Sequence, residues 1–117
     1  MKPTFAACMA AIHLAAGALL APGSAVAADE DAARRTIRQN SCFRCHAFRK
    51  DKDGPIWSKV AEKYRGRANA EDHLMRHLTG RGMALFPDGH EEHHKAIRAD
   101  RASPEEIRNL VRWILSL

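Results

Sequence analysis

The sequence predicts an all-α fold, one small helical domain gathered around a common buried centre. Three observations carry that prediction. Ile107, Leu110, Val111 and Ile114 recur at the i, i+3, i+4 and i+7 spacing of a one-faced helix, and shorter stretches upstream repeat the pattern. No stretch alternates apolar and polar residues as a half-buried strand would. Without the 27 residues that read as a leader, 90 of the 117 remain, too few for a second domain, so any core they form is marginal and gains from a staple.

Residues 1–27 read as a secretory signal peptide. Lys2 opens a stretch without acids that runs from Pro3 to Ala28, Phe5 to Leu20 is apolar apart from His13, and Pro22-Gly23-Ser24 breaks the run before the small-x-small pattern Ala25-Val26-Ala27. The apolar run is short for a membrane span and lacks a stop-transfer flank. Cys8 leaves with this leader, and residues 28–117 form the domain. Lys and Arg number 19 against 14 Asp and Glu, an excess that narrows when Lys2 is lost. So modest a positive charge could steer an acidic partner, but no clustered basic helix with interleaved aromatics speaks for nucleic acid.

Asp29-Glu30-Asp31 starts the first helix, acidic side chains suiting the positive end of its dipole. Ala32, Ala33, Ile37 and Asn40 share its inner face. That helix leads into Cys42-Phe43-Arg44-Cys45-His46. Two thiols separated by two residues can add across the two vinyl groups of one porphyrin, and the adjacent imidazole then lies under the iron. A dithiol redox pair would call instead for an alternating strand–helix chain around the motif, and none is visible. A lone disulfide across so small a loop would constrain the unfolded chain little.

Arg49-Lys50-Asp51-Lys52-Asp53-Gly54 is polar turn chemistry ended by Pro55. Ile56 to Tyr64 reads as a short helix carrying Ile56, Trp57, Val60, Ala61 and Tyr64, with Gly66 ending it. Asn69 caps a third helix with Asp72 three positions on; Leu74, Met75 and Leu78 form its apolar face, and Gly80 and Gly82 close it. Residues 83–103 read as a long loop with at most one helical turn, a length that in a compact domain usually serves function. Ser103-Pro104-Glu105-Glu106 then forms a capping box for the final helix, where Trp113 and Leu117 widen the buried stripe.

These residues resemble the small class I c-type cytochromes of bacteria. The likeness spans essentially all of residues 28–117 and rests on the Cys42–His46 motif, on Gly54-Pro55 shortly after it, and on the terminal helix ending Leu110-Val111-Arg112-Trp113-Ile114-Leu115. It implies a small cytochrome c-like helical domain wrapped around one haem c, bonded through Cys42 and Cys45 and ligated by His46. It also implies that the Pro55 carbonyl accepts a hydrogen bond from that imidazole, that Trp57 packs in the haem region, and that Trp113 meets the first helix near Ile37. One departure stands out: the family's sixth ligand is usually a methionine in a Met-Pro pair, and none occurs here. His94, followed by Lys95-Ala96-Ile97, is the preferred donor; Met83 comes second, and His93 and His90 stay open. A second imidazole lowers the reduction potential where a thioether raises it.

His73 and His77 form an i, i+4 pair that could grip a metal, though with no third donor nearby a solvated face is favoured. The expected function is that of an exported, periplasmic one-electron carrier, not an enzyme, with redox partner proteins, no nucleic acid and no stable membrane insertion. The alternative is a haem sensor binding a diatomic gas at a weakly held sixth position.

Overall fold

The computed structural model describes residues 26–117, so the expected leader lies outside them but for Val26 and Ala27. Helix α1 spans Glu30–Gln39 and starts where the Asp29 side chain accepts the Ala32 N–H at 2.9 Å. Its buried face is Ala33, Thr36, Ile37 and Asn40. Thr36 takes the place expected for Ala32, which is only half-buried. A threonine is tolerated there because its hydroxyl donates to the Ala32 carbonyl at 3.2 Å.

Helix α2 spans Trp57–Tyr64 and helix α3 spans Ala70–Arg76, continuing into a wider π-type turn, His77–Arg81. Gly66, with φ +76°, takes the chain away from α2 in the left-handed region that favours glycine. Asn69 stands at the N-cap of α3 but its side chain makes no cap bond, so the expected pairing with Asp72 does not form. Leu74 and Leu78 are buried, while Met75 is only partly so.

Helix α4 spans Pro104–Leu115 and has the full capping box: Ser103 Oγ accepts the Glu106 N–H at 3.2 Å and the Glu106 carboxylate accepts the Ser103 N–H at 2.7 Å. It packs across α1, burying Ile37 against Leu110, Val111 and Ile114. The crossing is pinned by Asn109, whose side chain accepts the Asp29 N–H and donates to the Asp29 carbonyl, both at 2.8 Å. Trp113 belongs to the same core cluster as Ile37, as expected. Leu117 is 42% exposed and stands outside the stripe; the helix ends at Leu115, so its periodicity no longer steers that side chain inward.

The expectation of a structureless loop after Gly82 is corrected. Strands β1, Met83–Leu85, and β2, Glu91–His93, pair antiparallel with Met83 opposite His93 and Leu85 opposite Glu91. Pro87 and Asp88 turn the hairpin, closed by Gly89 N–H donating to the Phe86 carbonyl at 2.9 Å, and Gly89 adopts φ +91°. The hairpin is lashed to α3's end by His94 N–H to the Gly82 carbonyl, 2.9 Å, and Ile97 N–H to the Leu78 carbonyl, 2.7 Å. The domain remains essentially helical, with this small ribbon carried beside it.

Candidate haem-attachment site

At the end of α1 the chain must turn sharply to present two thiols on one side. Ser41 adopts φ 57°, an unusual left-handed position for a residue with a Cβ, and a 3₁₀ turn, Cys42–Arg44, follows. The Cys42 carbonyl accepts both Cys45 N–H at 3.2 Å and His46 N–H at 3.0 Å, which gathers all three side chains on one turn. Both cysteines are free and half-buried, and burial pushes the Cys42 thiol up from its ordinary value.

His46 is fixed from several sides. Its Nδ1 lies 2.6 Å from the Pro55 carbonyl. A carbonyl can only accept, so Nδ1 carries the proton and Nε2 keeps the lone pair, the tautomer needed for a ligand. Trp57 stacks on the ring at 4.7 Å between centroids and 27° between planes. Gly54 lies flat beneath it, for a Cβ there would stand 2.7 Å from His46 Cε1. The intervening loop is tied down by Gly54 N–H to the Cys45 carbonyl, 2.8 Å, and by Asp51, whose carboxylate accepts the Ile56 N–H at 2.9 Å and pairs with Lys59. The Lys59 ammonium, then the Ile56 N–H, hold Asp51 below the usual carboxylate value. Polar turn chemistry alone did not single out Asp51 as the residue that braces this loop.

Across from His46 stands His94, with ring centroids 6.1 Å apart and planes at 44°. His94 is half-buried, and burial followed by the neighbouring His46 lowers its pKa. The other donors named from sequence lie elsewhere. Met83 is 48% exposed on β1, His93 is exposed on β2, and His90 sits outside on Phe86 at 4.4 Å, held between Asp88 and Glu92. His73 and His77 do not act as a pair: His73 is exposed against Tyr64. His77 turns inward beside His94, with centroids 4.4 Å apart, and burial with the neighbouring His94 and His73 holds it down to about 4. Its place on the i+3, i+4 face with Leu74 and Leu78 was the available signal.

Among the described residues no group of three or more His, Cys, Asp or Glu could hold a metal ion. Two neighbouring imidazoles suit instead a metal whose remaining donors come from a macrocycle. Metal–imidazole bonds of about 2.0 Å put ring centres on opposite sides of one ion roughly 6 Å apart, which matches the spacing of His46 and His94. Two buried polar atoms, His94 Nδ1 and Trp57 Nε1, find no partner among the described residues. Orphans of that kind call for a group from outside the chain. The free thiols and the lone pair on His46 fit a covalently held haem.

Comparison with known proteins agrees. The family described as Cytochrome c matches residues 31–117. The chain is 35% identical to cytochrome c2 of Rhodocyclus tenuis over 77% of this chain and 94% of that protein. Among solved structures it is similar to the class 1 cytochrome MtoD of Sideroxydans lithotrophicus ES-1, with TM-score 0.71 and 59% identity over 77% of this chain and 97% of that one. Wild-type cytochrome c552 of Nitrosomonas europaea shares the fold, with TM-score 0.57 at 21% identity over 72% of this chain and 98% of its own. With the match spanning every element from α1 to α4, the chain belongs to the cytochrome c family, as a small class I member that carries one covalently attached haem c.

Proposed function

We propose that this protein is an exported, periplasmic one-electron carrier whose haem is bonded to Cys42 and Cys45 and held between His46 and His94 as a low-spin, six-coordinate centre. The observation that carries the reading is the approach of the His46 and His94 imidazoles, 6.1 Å apart between centroids. When bound, the haem supplies the ferric–ferrous couple. The chain's own residues keep that couple's surroundings constant. Pro55 and Trp57 fix the His46 ring from its far nitrogen and its face, and the hairpin's bonds to Gly82 and Leu78 hold His94 opposite. Imidazoles braced in this way need not move when one electron arrives or leaves, so little reorganisation opposes exchange with a redox partner protein.

Among the described residues no helix is long and apolar enough to cross a membrane.

His94→Met tests the ligand. A thioether in place of the second imidazole raises the potential, on the order of 0.1 V within the roughly 0.8 V span that axial ligands set. A redox titration that finds no rise removes His94 from the iron. Carbon monoxide offered to the native ferrous protein at neutral pH should bind poorly; ready binding would favour the gas-sensing alternative.

A further inference from the structure

His77 contacts His94, half-buried at the end of α3, and a haem held between His46 and His94 gives it no task. We infer that His77 is a second distal iron donor, placed to take the haem when His94 leaves it. This rests on the reading of His94 as the resting ligand.

Two features of the fold place it there. The His77 ring stands 4.4 Å from that of His94 between centroids, on the side of His94 that the α3 terminus occupies, and the wide turn 77–81 carries it inward. Gly82 presses against the ring: a Cβ at that position would overlap His77 Nδ1 and Cγ. The glycine therefore clears space for an imidazole beside His94, where a surface histidine would need none. The two donors also arrive on different supports. His77 belongs to the end of α3, while His94 belongs to the exit of β2, whose side chains are all exposed. Loosening of the hairpin would withdraw His94 and leave His77 on its helix. The exchange breaks one iron–nitrogen bond and makes another, with no change in electron count.

The alternative is that His77 only positions His94. Ferric optical and electron paramagnetic resonance spectra of the holoprotein separate the two in His94→Ala, His77→Ala and the double variant. His94→Ala should stay low-spin, His77→Ala should resemble the native protein, and the double variant should turn high-spin and bind carbon monoxide readily. Should His94→Ala turn high-spin by itself, or the double variant stay low-spin, His77 is not the incoming donor. A high-spin His77→Ala would instead make His77 the resting ligand, overturning the reading of His94 beneath this inference. If His94→Ala does not accumulate, His94→Gln serves, with added imidazole as the probe. It should bind at least tenfold more weakly to His94→Gln than to His77→Ala/His94→Gln, and equal affinities would again exclude His77.

Discussion

Gly54 shows how much of this site depends on one missing methyl group. The His46 ring rests on its backbone while Pro55 holds one nitrogen and Trp57 covers a face, so the ring has nowhere to retreat. Gly54→Ala should therefore behave as an overpacked core substitution, costing roughly 1–3 kcal/mol. Its ferric spectrum should also change, because the ring must tilt away from the Pro55 carbonyl. Thermal melts and spectra of the holoprotein check both, and an unaltered spectrum would mean that the ring moves freely. The attachment motif was legible because Cys42, Cys45 and His46 declare their chemistry by type and spacing. His77 was not, because the i, i+4 relation to His73 favours a solvated face until Gly82 and His94 close around it.

At the scale of elements, what could be read depended on whether the signal was local. The capping box of α4 lies within four residues and forms as written, so Ser103→Ala should cost about 1 kcal/mol. For a domain of this size that corresponds to a fall in melting temperature of roughly 4–8 °C. The hairpin escaped because its strands are three residues each and β2 is exposed throughout, leaving no alternation to detect. Its trace in sequence was the turn Pro87-Asp88-Gly89. Between α3 and α4 an exposed ion pair adds to the apolar packing: Glu71 accepts from Arg108 at 2.6 Å and from Arg112 at 3.3 Å. The Arg108 contact chiefly holds its carboxyl below the ordinary 4.5, although burial opposes the shift. The unfolded chain then takes up this proton first as pH falls. The pair's stabilisation is full above that ordinary value and is lost as pH drops through the lowered folded one. Glu71→Gln should accordingly lower the urea midpoint at pH 7, by the equivalent of no more than about 1 kcal/mol for so exposed a pair. The two proteins should converge in acid, once the native carboxyl is protonated too. Equal midpoints at pH 7 would show that the pair contributes nothing.

Across the whole molecule, packing among side chains is unevenly distributed. Ile37, Leu110, Val111 and Ile114 are almost completely buried where α1 crosses α4, and Asn109 clasps Asp29 at the crossing's open end. On the other side, β1 and β2 bury no side chain fully, and His94 and Trp57 each keep a polar atom without a partner among the described residues. A domain this small has little stability to spare, and a covalent prosthetic group stabilises most where the chain's own contacts are thinnest. Cys42→Ser/Cys45→Ser should therefore do more than release pigment. With no thioether bonds the chain should lose a large part of its far-ultraviolet circular dichroism. Among the amides that remain protected from hydrogen exchange, those of α1 and α4 should outlast those of residues 83–97. If protection instead fell uniformly, the haem would be stabilising the α1–α4 crossing as much as the hairpin, and the helix pair could not be regarded as a platform prepared before attachment.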